Sequence, residues 1–239
     1  MKDVYVHVGD LEPVDILAVG AHPDDVEIAM AGTILVAEAE GFRVGVVDLT
    51  NGEPTPFGSV ETRMAEARAA AAALGVVFRA TLPFPNRYLQ DTREVREMLA
   101  GIIRLTRPRW LFVHYWEDAH PDHLAAQAAS EAARFYTKLT RVELAGEPYW
   151  PERVFHFFST HIRKHPDPDF IVDISSYLDR KLEILRLYES QFVTGRPNNP
   201  FFDTIATRAR YFGGLIGRVA GEPFVTREKI GLASLRGLI

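Results

Sequence analysis

Apolar positions along the chain gather into short unbroken runs, separated by stretches with helical spacing. VDILAVG (14–20), RVGVVDLT (43–50), VVFRATLP (76–83) and RWLFVHYW (109–116) each read as a strand buried on both faces. VEIAMAGTILVAEAEG (26–41) places apolar residues at helical spacing and ends at Gly41. SVETRMAEARAAAAALG (59–75) is Ala-rich, opens on a Ser cap and ends at Gly75. TREVREMLAGIIRLTRP (92–108) stops at Pro108, and DHLAAQAASEAARFYTKL (122–139) follows the fourth strand. Strands alternating with helices predict an α/β fold, a Rossmann-like parallel sheet with helices on both faces and right-handed connections. Residues 140–239 are less regular. There, 153–160 and 169–175 read as strands, 176–192 as an amphipathic helix, 195–200 as a loop and 202–221 as a last helix. With no linker composition and no internal repeat, a single domain over 1–239 with an elaborated C-terminal part is expected.

Composition narrows the chemistry. Apolar residues make up 47% and charged residues 25% of the 239, ordinary values for a soluble domain with a full core. A net charge of −5 argues against a broad nucleic-acid surface. The chain has no Cys, so disulfides, thiolate ligands and cysteine nucleophiles are excluded, and a transition metal must be held by His and carboxylates. The first residues, MKDVYVHVGDLEPVD, lack the apolar centre of a signal peptide, and there is no apolar window long enough to span a bilayer. A cytoplasmic protein with no membrane or nucleic-acid partner is therefore expected.

In open parallel sheets, ligands bind in the crevice beyond the carboxyl ends of the strands. DILAVGAHPDDVEI (15–28) places His22-Pro23-Asp24-Asp25 just after the first strand, and WEDAHPDHLA (116–125) places His120-Pro121-Asp122-His123 after the fourth. Parallel topology brings both clusters to one rim of one sheet. Imidazole nitrogen and carboxylate oxygen suit borderline divalent metals such as zinc, and a catalytic site uses three protein ligands with a position left open. His22, one of Asp24 or Asp25, and one of His120 or His123 make such a set. The remaining carboxylate and imidazole are left for proton work. Pro23 and Pro121 stiffen the preceding His in an extended conformation. Each residue alone also has an ordinary reading: Asp24 or Asp25 as a helix cap, His120 and His123 as polar residues heading a helix. A third copy, His165-Pro166-Asp167, lacks a second His and reads as a turn before a strand.

GAHPDDVEI with HPDH about a hundred residues later resembles the LmbE-like, or PIG-L, family of zinc-dependent de-N-acetylases. GFRVGVVDLT and YESQF (188–192) extend the resemblance over nearly the whole chain, towards the branch acting on N-acetylglucosaminyl-malate in bacillithiol synthesis. The resemblance implies a Rossmann-like fold, a homo-oligomer of the hexameric kind and an amino-sugar substrate. It implies His22, Asp25 and His123 as ligands of Zn2+, with Fe2+ or another divalent ion suited to the same donors. Asp24 is implied as general base. His120 is implied as the oxyanion-stabilising group and a candidate proton donor, Asp122 as its hydrogen-bond partner keeping it protonated, and Arg63 as substrate-binding. One position departs: where some relatives carry a Tyr, this chain has Asp118, with Tyr115 a nearby substitute.

This chemistry wants these groups. An amide is a poor electrophile with a poor leaving group; a metal polarises its carbonyl and acidifies water, and a neighbouring carboxylate takes the proton. Three rivals exist. A dinucleotide-binding protein would show G-x-G-x-x-G where this chain has GAHPDD, and two acidic groups there would repel a pyrophosphate. Phosphoester or ester hydrolysis would keep the metal and change the reaction, but two-metal phosphatases generally need more carboxylates and His than these two loops offer. A metal-binding protein without turnover would have no use for a base beside an open coordination position.

Overall fold

The computed structural model describes residues 5–162, 164–194 and 198–231. Part of the loop expected at 195–200 lies outside the described residues. A first edge strand, β1 (Tyr5–Val8), precedes β2 (Ile16–Gly20), α1 (Asp25–Ala39), β3 (Val44–Thr50), α2 (Val60–Leu74) and β4 (Phe78–Phe84). Then come α3 (Arg93–Thr106), β5 (Trp110–His114), α4 (Pro121–Tyr136) and β6 (Arg153–Phe157). The C-terminal part adds β7 (Phe170–Asp173), α5 (Leu178–Arg186), α6 (Glu189–Phe192), α7 (Phe201–Leu215) and β8 (Gly221–Val225).

The sheet runs β1-β4-β3-β2-β5-β6-β8-β7. Its centre, β4-β3-β2-β5-β6, is parallel as expected. Its edges are not: β1 pairs antiparallel with β4, and β8 pairs antiparallel with both β6 and β7. The sheet is therefore mixed: the expected parallel Rossmann-like centre carries antiparallel strands at its edges. Every residue of β2 and β3 is buried, which explains their unbroken apolar runs. One core layer packs α1, α2 and α5 on one face of the sheet, around Met30, Ile34 and Leu74; the other packs α3 and α4 around Leu99 and Ala129. From β2 the chain winds outward through β3 and β4, then returns to pair β5 on the other side of β2. That reversal opens a crevice at the carboxyl ends of β2 and β5, where both His-Pro-Asp motifs begin.

Two long-range polar devices shape the helices. The backbone of α1 departs from helical geometry at Met30 (φ −144°). Glu222 of β8 takes the N–H groups of Gly32 (3.0 Å) and Thr33 (2.6 Å), while Lys181 of α5 donates to the Ile28 carbonyl (2.7 Å) and pairs with Glu222 (2.5 Å). The helix expected over 176–192 breaks at Tyr188, whose hydroxyl donates to buried Glu27 at 2.9 Å.

Glu27 also accepts from Arg79, which is fully buried and grips Asp48 with two bonds of 2.7 Å. Removing the cation would strand two carboxylates in the core. Arg79→Met is expected to cost about 3–5 kcal/mol, read in thermal unfolding as a fall in Tm of roughly 6–20 °C. An unchanged Tm would show that the carboxylates find other partners.

Candidate metal centre

The turn out of β2 is strained. Asp24 occupies the N-cap of α1 at φ 121° yet makes no side-chain cap hydrogen bond. A non-glycine residue held there costs on the order of 1–3 kcal/mol, a pattern that concentrates at functional sites. Its Oδ2 instead accepts from the Arg63 guanidinium at 3.0 Å, and the same guanidinium holds the Pro23 carbonyl at 2.6 and 3.0 Å. Arg63 is thus buried at 3% exposure and tied to the motif, unlike a solvent-facing helix Arg paired to Glu61 or Glu66. Gly52 permits this closure: at φ 74°, a Cβ there would lie 3.2 Å from both Arg63 and Pro23. Asp25 Oδ2 accepts the His22 N–H at 2.8 Å and fixes the turn.

At the second rim, His120 is the N-cap of α4, its Nδ1 accepting the Asp122 N–H at 3.2 Å, with Pro121 in the first turn. The capping role open to Asp122 is taken by a histidine. The carboxylate of Asp122 accepts from His22 Nε2 (3.0 Å) and from the backbone N–H groups of Arg87 (2.6 Å) and Leu89 (3.3 Å). This corrects the expected Asp122–His120 side-chain pairing.

The two motifs converge. Donor atoms of His22, Asp25 and His123 all lie within 4.8 Å of one another, and all three residues are buried. Asp25 stands between the imidazoles, its Oδ2 3.3 Å from His22 Nδ1 and its Oδ1 3.2 Å from His123 Nε2. Each imidazole has its other nitrogen held by a carboxylate: His22 Nε2 by Asp122, and His123 Nδ1 by Asp118 at 3.0 Å. A carboxylate behind a ligating histidine sets its tautomer and raises its basicity. The donor set therefore fits a divalent cation.

Electrostatics favour positive charge at this point. Burial opposes protonation of His22, but Asp122 and Asp25 prevail and raise it to about 9; for His123, Asp25 and Asp118 overcome burial and raise it to about 10. Burial would push Asp25 up, yet His123 and His114 hold it well below the usual carboxylate range. Asp24 goes the other way: burial raises it to about 7 despite Arg63, helped by Asp25. Burial, then His123 and His22, lower His120 to about 4. Asp122 still acts on His120 through space in the raising direction, but burial and the two neighbouring imidazoles outweigh it.

A cavity of about 400 Å³ opens above these groups, lined by His22, Asp24, Asp25, Arg63, His120 and His123 together with residues from the C-terminal part. Those include Gln191 and Phe192, so the 188–192 segment both lines the cavity and packs in the core, where Ser190 binds Glu66 through two 2.7 Å bonds. His161, on the loop after β6, also lines it, with its ring 5.4 Å from that of His120. Tyr115 does not; it packs against Phe158 and Ile162. His165 lies in the loop before β7.

Sequence reasoning passed over three groups here: His114, His161, and Asp118 as a partner of His123. His114 stacks on His123 at 4.2 Å, and its Nε2 accepts the Ala21 N–H at 3.0 Å. Its available signal was a histidine at the end of a strand adjacent to the first motif. For Asp118 the signal was a carboxylate five residues before a candidate ligand.

The comparisons with known proteins agree with this geometry. Residues 17–134 match the family model described as PIG-L, GlcNAc-PI de-N-acetylase. The chain is 31% identical over 229 residues to diacetylchitobiose deacetylase of Thermococcus kodakarensis, covering 87% of this chain and 80% of that one. It is 28% identical to the probable N-acetyl-alpha-D-glucosaminyl L-malate deacetylase 2 of Bacillus anthracis, covering 75% and 82%. The crystal structure of a conserved protein from Thermus thermophilus superposes with a TM-score of 0.84 at 36% identity, covering 92% of this chain and 97% of that one. The chain belongs to the PIG-L, LmbE-like family of de-N-acetylases.

Proposed function

We propose that this protein hydrolyses the acetamide of an N-acetylglucosaminide with a divalent metal, zinc or iron(II), held by His22, Asp25 and His123. The observation that carries the reading is the convergence of those three donors around one point, with Asp24 beside them and outside the set. Such a cation, when bound, supplies Lewis-acid polarisation and acidifies water.

The chain's own residues do the rest. Asp24 has one oxygen on Arg63, which leaves Oδ1 to accept a proton from the attacking water. Arg63 keeps that carboxylate turned towards the cavity. His120 Nδ1 accepts a backbone N–H, so the neutral ring carries its proton on Nε2 and donates a hydrogen bond to the developing oxyanion. One such donor is worth roughly 3–4 kcal/mol in the transition state. A neutral imidazole with a single N–H has no second proton for the amine. Asp24 therefore returns the proton it took, the C–N bond breaks, and free amine and acetate leave. Asp122 holds His22 and does not act on the substrate.

Malate is the aglycone we favour, supported by the YESQF segment and the likeness to the Bacillus anthracis relative. The Thermococcus relative favours a second reading, N,N'-diacetylchitobiose. Assembly as a cytoplasmic homo-oligomer is part of the same proposal and rests on the family likeness; among the described residues no helix is long and apolar enough to cross a membrane.

The test is acetate release from N-acetylglucosaminyl-malate, N,N'-diacetylchitobiose and N-acetylglucosamine by metal-stripped and zinc-reloaded protein. Stripping should abolish release and reloading restore it. No acetate from any of the three, or full activity without metal, would overturn the proposal.

A further inference from the structure

The cavity holds two guanidinium groups, and they are treated differently. Arg63 is neutralised by Asp24. Arg87, also lining the cavity, forms no ion pair among the described residues; its NH2 donates only to the Pro54 carbonyl, at 2.8 Å. The rest of its planar donor fork is open, the geometry that takes a carboxylate or phosphoryl group through two parallel bonds. The carboxylates lining the same cavity leave Arg87 unneutralised. Asp24 is engaged by Arg63, and Asp25 by His22 and His123.

The backbone beneath this side chain is informative. Arg87 sits at φ 69°, in the left-handed region, where glycine carries no Cβ penalty and other residues lose about 1–2 kcal/mol. The chain places a long cationic side chain at a position where a residue without a side chain would be easiest. It also anchors that position firmly. The Arg87 N–H donates at 2.6 Å to the same Asp122 oxygen that accepts from His22, and the Leu89 N–H takes the other oxygen. The guanidinium is thus carried on a turn strapped to the metal centre, reaching across to the loop that contains Pro54.

We propose that Arg87 is a specificity residue that binds an anionic substituent, carboxylate or phosphoryl, carried by the amino-sugar beyond its acetamide. This deepens the proposed reaction and rests on it. It separates an anionic aglycone such as malate from a neutral second sugar.

Arg87→Gly is the decisive variant, because it removes the guanidinium, keeps the N–H bonded to Asp122 and suits the positive φ. Its Tm should match or exceed that of the parent. Arg87→Gln serves as a second variant that keeps a side chain. Binding of reaction products avoids turnover: glucosaminyl-malate, glucosamine 1-phosphate and methyl glucosaminide are titrated calorimetrically into the zinc-loaded full chain. The parent is expected to bind at least one anionic ligand about tenfold or more tighter than the neutral one. Which of the two it prefers tells carboxylate from phosphoryl. In both variants that ratio should collapse to near one. A parent without anion preference overturns the proposal, as does a variant that keeps the ratio. The readout is independent of acetate release, so failure of the deacetylase reading shows separately, as no acetate from any substrate.

Discussion

Asp24→Asn is expected to retain one metal per chain while kcat falls by about 10²–10⁴-fold, the range supplied by a positioned general base. The amide keeps the volume of the carboxylate and can still accept from Arg63, so the 3.0 Å contact that orients the side chain persists. Asn also tolerates positive φ better than most residues, which lets the turn at φ 121° form as before. What is lost is the ability to take a proton from water and return it to the amine. Metal content by atomic emission and acetate release together decide the matter. A variant turning over at near the parental rate removes Asp24 from the mechanism; one that loses its metal makes Asp24 a ligand.

His123→Ala should do the reverse, losing the cation first and the activity as a consequence. Its imidazole supplies one of the three donors proposed to hold the cation, and the two carboxylates that face it, Asp25 and Asp118, would be left across an emptied buried space. That change also burdens the fold. Asp118→Asn is therefore the companion: it leaves all three donors in place and weakens only the group behind His123. A loss of 10–100-fold in metal affinity is expected, the usual effect of disturbing such a partner. Circular dichroism should report a folded protein in both cases. Unchanged zinc stoichiometry in His123→Ala would take this residue out of the ligand set.

The centre of the fold was legible because burial on both faces writes itself into sequence as unbroken apolar runs, as in ILAVG of β2 and VGVVDLT of β3. The edges were not. β8 contains Glu222 and Pro223, and its partners β6 and β7 lie far back in the chain, so no local pattern announces it. The break at Tyr188 was equally hidden. Its helical spacing is real, and the contacts that mark where the helix stops are long-range: Tyr188 to Glu27, 161 residues away, and Ser190 to Glu66, 124 residues away. The two His-Pro-Asp motifs stood out because paired polar residues directly after buried strands are unusual. His114 did not stand out, since a histidine inside an apolar strand reads the same whether it packs, caps or supports a ligand. Roles that depend on where a side chain turns were the hardest to see. Asp122 was expected to serve His120, its near neighbour, and serves His22, a hundred residues away.

The shared oxygen of Asp122 has a consequence beyond the placement of His22. One atom is the junction between an imidazole of the proposed metal site and the turn that carries Arg87. Linkage at such a junction is reciprocal: what steadies the turn steadies the imidazole, and the free energy of one occupant is felt by the other. On the proposed reading, cation and substrate share this fastening, and a change at Asp122 is expected to move both affinities together.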